Sequence, residues 1–346
     1  MERVGQRQVA CIECAMLSRG KRFRYRVEWL ALLAASKIVP LFPRIACFYL
    51  AQFLGWWISI WNLPGRRVAF SNLEAAFGDQ YSRAQRARIV RKSFQNLARS
   101  MIDLLWSPRL TPKNFSRYIE VANLERFQRD IGETGSCIFA IPHYGNFEWL
   151  SPATGLLGYP TNILTQEFKN ELLNSIFDKL RETFEHSTVP REGGVLRLYK
   201  ALRRRGRVAI LVDLSLRPEM PAVVIDCFGL KTCVPFAHAW LSERTGAPIV
   251  PIHCEPLPRG RWRVVFHEKL GSMPGASHQQ VAQTCWDRFE PLIRENPAPW
   301  LWTYKLWRFL PANPDRRYPF YANFSPEFDV LAREATAPPQ GASASL

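Results

Sequence analysis

Hydrophobic and polar positions divide the chain into regions of different character. Residues 1–26 are polar and end in a basic cluster, Arg19, Lys21, Arg22, Arg24 and Arg26, so little fixed structure is expected before about residue 24. From Val27 to Leu63 the chain turns apolar. Trp29 to Phe42 carries only Lys37 as a charge and is broken at Pro40, with Pro43 just beyond; Ile45 to Leu63 carries none. The second run just reaches the roughly 20 apolar residues of a spanning helix. Basic residues flank it on both sides, Arg44 before and Arg66 and Arg67 after, which leaves orientation open. A single span, a shallow hairpin kinked at the prolines and a buried amphipathic helix pair all fit. Membrane attachment through 27–65 is the expectation; a cleaved signal peptide is not, because the apolar run continues past any plausible cleavage site.

Beyond Gly65 the pattern is that of a globular domain. Ser82 to Trp106 has helical periodicity, with Arg83, Arg86, Arg88, Arg91 and Lys92 on one face and Ile89, Phe94, Leu97, Met101 and Leu105 on the other. From residue 136 short apolar runs alternate with helical stretches. Strands are predicted near 137–141, 161–165, 208–212, 222–228, 249–254 and 263–267, and helices near 147–155, 168–184, 194–205, 235–245 and 278–295. This alternation predicts an α/β fold with a mixed, mainly parallel sheet flanked by helices. The domain is placed at 66–331, followed by a disordered Ala, Pro and Ser-rich tail at 332–346.

Charge narrows the partners. Against 46 Lys and Arg stand 30 Asp and Glu, a formal net charge of +16, which expects an anionic partner: nucleic acid, an anionic membrane or an acidic carrier protein. No RNA-stacking aromatic motif or helix-turn-helix signal supports nucleic acid. Eight cysteines, several inside apolar runs, suit reduced thiols better than a disulfide framework. Cys11 and Cys14 form a lone pair with no second pair near it. Met16, followed by the basic cluster, is an alternative start to Met1.

The chemistry converges on Ile138 to Trp149. The run 137–141 ends at Pro142, which removes a backbone donor, so His143 falls at the carboxyl end of a strand. Gly145 and Asn146 supply turn and N-cap chemistry, which puts Glu148 in the first turn of a helix. Five positions on one helix would splay the two side chains by roughly 140°. Contact therefore requires His143 to lie in the turn before it. A histidine held by a carboxylate is a general base at neutral pH, and with no serine or cysteine elbow beside it the proton source is a substrate hydroxyl or amine. The competing reading is a helix-capping His and an acid favoured by the helix dipole. The carboxyl-end rule of open α/β sheets places Asp213 in the same crevice, and puts His253 near such an end. Val189-Pro190-Arg191-Glu192-Gly193-Gly194 offers a phosphate or carboxylate cradle of free amides plus a forked cation, or an ordinary helix start. The run Arg203-Arg204-Arg205-Gly206-Arg207 reads as a solvated helix end.

Taken together these residues resemble the lysophospholipid acyltransferase superfamily, and within it the bacterial lipid A late acyltransferases. The resemblance rests on His143 and Glu148, on Asn72-Leu73-Glu74-Ala75-Ala76-Phe77, on the block carrying Arg191, and on Asp213, followed here by Leu214 where the family has a polar residue. Phe228-Gly229, Ala247 to Pro251, Pro299-Trp300-Leu301-Trp302 and Arg308 are similar to later blocks, and Arg181 lies where the family often has a functional arginine.

The resemblance implies transfer of a fatty acyl chain from a thioester, on acyl carrier protein or coenzyme A, to a hydroxyl of a lipid A precursor at the bacterial inner membrane, with the domain facing the cytoplasm. His143 would be the general base oriented by Glu148, with no acyl-enzyme. Arg181, Arg191, Gly193 and Gly194 would hold phosphate, Asp213 would partner a base-site group, and no cofactor or metal is required. Acyl carrier protein, an anionic membrane surface and a membrane lipid acceptor are the implied partners, and nucleic acid is not among them. Rival readings are an acyltransferase acting on another glycolipid or lysophospholipid, and a lipid-binding protein that has lost the reaction. A metal-dependent hydrolase finds no His-x-x-x-His spacing among the six histidines.

Overall fold

The computed structural model of the protein describes residues 18–271 and 273–335. Cys11, Cys14, Met1 and Met16 lie outside them. Helix α1 (Arg19–Ile38) starts earlier than the basic lead suggested, because the Ser18 hydroxyl caps it by accepting from the Lys21 amide. Pro40 and Pro43 then break the apolar region as expected: a 3-10 turn, Val39–Leu41, leads into α2 (Arg44–Trp61).

Helix α2 lies along α4 (Arg83–Trp106), with α3 (Leu63–Phe77) between them in sequence. Cys47, Ala51, Gly55 and Ser59 form a row of small side chains four residues apart, buried against α4. The approach is so close that a β-carbon on Gly55 would collide with the Gln95 backbone. On the opposite face Tyr49, Phe53, Trp57, Ile60 and Trp61 are exposed. Among the described residues no helix is long and apolar enough to cross a membrane. The single span is thereby corrected: one side of the apolar segment is occupied by α4. Arg44, one of the basic residues flanking the apolar run, is buried.

A seven-stranded sheet forms the body, in the order β1-β9-β8-β2-β5-β3-β4. Its strands are β1 (Ile119–Ala122), β2 (Cys137–Ile141), β3 (Asn162–Thr165), β4 (Ser187–Pro190), β5 (Arg207–Leu211), β8 (Ile249–Pro256) and β9 (Trp262–Phe266). Every neighbouring pair is parallel except β8 with β9. The mixed, mainly parallel α/β fold read from the alternation is therefore the one observed. Successive side chains of β2 serve opposite faces: Phe139 packs with Trp149, Ala209 and Ile252, whereas Ile138 and Ala140 pack with Leu198, Leu202 and Leu241.

Several boundaries differ. The run at 222–228 is β6 (Ala222–Cys227), which pairs antiparallel with β7 (Leu230–Pro235) in a hairpin outside the main sheet. Strands β1, β4 and β7 escaped prediction because each mixes polar with apolar residues. The helix expected over 278–295 is two, His278–Trp286 and Glu290–Glu295, since Pro291 lacks the amide to continue a helix but suits the start of a new one. A helix at Pro326–Glu334 takes up the first residues of the expected tail.

Candidate functional site

Parallel register brings the site together. Strand β2 pairs with β5 so that Ile141 lies opposite Leu211, and the Val212 amide donates to the Ile141 carbonyl at 3.0 Å. Two residues past each strand end stand His143 and Asp213. Their contact follows from the offset: His143 Nδ1 and Asp213 Oδ1 are 2.7 Å apart, and the His143 amide donates to Asp213 Oδ2 at 2.7 Å. Trp300 adds a third donor, its indole N–H reaching Oδ2 at 2.9 Å. Burial alone would raise the Asp213 carboxyl, but the imidazole and these donors outweigh it, and its pKa is lowered. An ionised Asp213 fixes the proton of His143 on Nδ1, which leaves Nε2 as the basic nitrogen.

Glu148 is placed differently from expectation. It sits in the 3-10 turn Phe147–Trp149, capped by Asn146, and continues into α5 (Leu150–Leu156). Both its oxygens are taken by Arg181 of α6 (Asn174–Glu182), Nε to Oε2 at 3.1 Å and Nη2 to Oε1 at 2.7 Å. Burial would lower the Arg181 pKa, yet the carboxylate beside it more than compensates and it is raised. The expected orientation of His143 by Glu148 is therefore corrected: Asp213 orients the imidazole, and Glu148 with Arg181 forms a forked ion pair in the same cavity. A 3-10 turn directs the acid toward α6, a geometry that spacing alone does not reveal.

His143, Phe147, Glu148 and Arg181 open onto a cavity of about 350 Å³. It runs under the sheet from His143, Thr165 and Leu211 to Phe139, Thr161 and Ala209. Its walls are mostly apolar, including Ile141, Leu150, Ile163 and Phe177. At its far end His186 accepts from the Thr161 amide at 3.0 Å and donates through Nε2 to the Ser151 carbonyl at 2.7 Å; burial lowers its pKa and keeps it neutral.

Arg191 follows β4 at the sheet's carboxyl end and is exposed, its guanidinium 3.6 Å from the Met220 sulfur. Gly193 caps and Gly194 opens α7 (Gly194–Arg203). Near the mouth Tyr304 stacks on His143, ring centroids 6.3 Å apart, and Arg308 lies 5.6 Å from the Tyr304 ring. His253 belongs elsewhere: it is buried within β8, with Nδ1 2.8 Å from His267 Nε2.

What the sequence reading missed is the frame behind the site. Gly145, at φ +63°, presses so close to Cys254 that a β-carbon would strike its carbonyl. The Gly145 carbonyl accepts from Asn96 at 2.8 Å and Ser100 at 3.1 Å, and Ser93 donates to the Trp300 carbonyl at 2.6 Å. Asn72 donates to the carbonyls of Trp302 and Tyr304 at 2.8 and 2.7 Å. Gly145 belongs to a turn legible in the sequence, and Asn72 and Pro299 to Trp302 to motifs that carry the family resemblance, but nothing in the sequence pairs them.

The profile of the bacterial lipid A biosynthesis acyltransferase family matches residues 16–309. Phosphatidylinositol mannoside acyltransferases from two strains of Mycobacterium tuberculosis are 25% identical over 223 residues, covering 62% of this chain and 69% of theirs. A solved 1-acyl-sn-glycerophosphate acyltransferase, PlsC from Thermotoga maritima, is similar with 13% identity and a TM-score of 0.37, over 74% of this chain and 100% of that one.

Proposed function

The chain belongs to the bacterial lipid A biosynthesis acyltransferase family and is an acyltransferase; from that premise we propose that it moves a fatty acyl chain from a thioester to a hydroxyl of a lipid A precursor. The observation that carries this reading is the His143–Asp213 pair at the mouth of an apolar cavity. His143 Nε2 takes the proton of the acceptor hydroxyl while its oxygen attacks the thioester carbonyl. The tetrahedral intermediate then expels the thiolate, which recovers the proton from the imidazolium, so no acyl-enzyme forms. Asp213 stabilises the imidazolium. The Glu148–Arg181 pair fixes the polar rim, and Arg191 and Arg308 supply charge for a phosphate on donor or acceptor.

The acyl chain occupies the cavity. Since an apolar cavity of about 150 Å³ takes one benzene, about 350 Å³ corresponds to roughly 14 carbon atoms. The donor is acyl carrier protein or coenzyme A, and the net charge of +16 favours the acidic carrier. The exposed face of α2, with Trp57 and Trp61, and the basic α1 support attachment in the plane of an anionic inner membrane, catalytic domain toward the cytoplasm. A second reading, another glycolipid acceptor, is favoured by the phosphatidylinositol mannoside named in the relatives.

The test is acyl transfer from labelled acyl carrier protein and acyl-coenzyme A to a lipid panel, for wild type, His143→Ala and Asp213→Asn. Labelled lipid A precursor formed by wild type alone supports the proposal. Transfer to another lipid moves the acceptor, and substantial transfer by His143→Ala refutes the general base.

A further inference from the structure

Helix α4 carries a second pattern beneath its apolar one. Ser93, Asn96, Ser100 and Asp103 recur at intervals of three and four, which places them in one row along the helix. The first three hold the carbonyls of Gly145, Pro299 and Trp300. Asp103 ends the row and is the single acid of α4, with 0% of its surface exposed.

A buried carboxylate is costly unless its charge is paired and its oxygens are bonded. Here one oxygen, Oδ2, accepts three donors from three parts of the chain: Arg44 Nη2 at 2.8 Å, Asn146 Nδ2 at 2.9 Å and Trp262 Nε1 at 2.6 Å. Arg44, the first residue of α2, also lies over the rings of Trp149 and Trp106, at 4.9 and 5.7 Å. The consequence falls on Asn146. A carboxylate only accepts, so the Asn146 amide must turn its NH₂ toward Asp103. Its Oδ1 is then aimed at the Trp149 amide, which donates at 3.1 Å, while the Asn146 backbone N–H donates to the Cys254 carbonyl at 3.0 Å. Asn146 stands between His143 and Glu148 in sequence, and these bonds set the turn that separates them.

We propose that Asp103 is a positioning residue for acyl transfer, acting through Asn146 to set the turn that carries His143 and Glu148. It touches neither substrate nor base. The inference rests on the function proposed above, and adds to it a residue 40 positions upstream of His143. A charge inside the protein thereby ties the first turn of the exposed apolar helix to the catalytic turn.

The test is a double-mutant cycle in full-length protein with the acyl-transfer assay. Asp103→Asn and Asn146→Ser are each expected to lower kcat 10- to 100-fold, with KM for the thioester donor within twofold of wild type. Combined, they are expected to lower kcat no further than the worse single change, because the second removes a link already broken. Independent, multiplying losses overturn the proposal, as does an unchanged kcat in Asp103→Asn. Should Asp103→Asn not fold, the exchange of Asp103→Asn with Asn146→Asp restores one carboxylate and one amide between the same positions. It is expected to fold and reach within tenfold of wild-type kcat, and failure to do so overturns the proposal. Wild type that transfers to no acceptor refutes the proposed function and this inference with it; wild-type transfer with independent losses refutes this inference alone.

Discussion

Trp300 donates its indole N–H to Asp213 Oδ2 at 2.9 Å, across 87 residues of sequence. The same oxygen accepts the His143 amide, so the indole helps to hold the carboxylate against the imidazole. Trp300→Phe keeps most of the ring packing and deletes that donor. A hydrogen bond to a charged group contributes about 1.5–3 kcal/mol, so kcat is expected to fall roughly tenfold or more with donor KM little changed. A kcat equal to wild type would remove Trp300 from the site.

The fork between Arg181 and Glu148 depends on two parallel N–H donors. Arg181→Lys keeps the charge and loses the fork. Steady-state kinetics should show a reduction of about 10-fold or more in kcat/KM. An equal rate would mean that charge alone suffices at position 181.

Acid should destabilise the fold in part through the buried His238. Burial pushes His238 down to about 4, helped by the nearby His278, whereas the unfolded chain titrates near 6.5. The folded state keeps His238 neutral, so the unfolded state binds the extra proton and stability is lost as pH falls from 6.5 towards 4. The slope is about 1.4 kcal/mol per pH unit. Urea unfolding at pH 7 and pH 4.5 should show the loss in wild type and a smaller one in His238→Phe. Identical losses would place the acid sensitivity elsewhere. Asp213 acts lower: its lowered pKa adds stability that is present above about pH 4 and lost as pH falls through its folded value.

Gly55 sets the distance between α2 and α4. Gly55→Leu forces the helices apart and is expected to cost about 1–3 kcal/mol by overpacking, read as a lower urea midpoint. The conservative Gly20→Ala, where a β-carbon meets nothing within 4 Å, is the control.

Trp57 and Trp61 lie on the exposed face of α2, Trp61 with 67% of its surface open. Replacing both with Ser should weaken sedimentation with anionic vesicles at least tenfold while the urea midpoint stays within error, since neither side chain belongs to the core. Unchanged vesicle binding would move the membrane contact to another surface.

The sequence by itself determined the α/β alternation, the carboxyl-end placement of His143 and Asp213, and the breaks at Pro40 and Pro43. All of these follow from periodicity, strand ends and proline chemistry within a few residues of one another. The family resemblance, too, is carried by short local motifs such as His143 to Glu148. Only the tertiary structure decided which acid serves His143. Asp213 and Glu148 are equally available on the page of the sequence, and the choice is made by the parallel register of β2 with β5 and by a 3-10 turn that sends Glu148 to Arg181. The same holds for α2, whose apolar composition reads as a membrane span until the row of Cys47, Ala51, Gly55 and Ser59 is seen packed on α4. Hydrogen bonds from Asn72 to Trp302 and from Asn146 to Asp103 span 230 and 43 residues. Such pairings leave no periodic trace, because a polar residue in the sequence carries no mark of the distant partner that burial will demand of it.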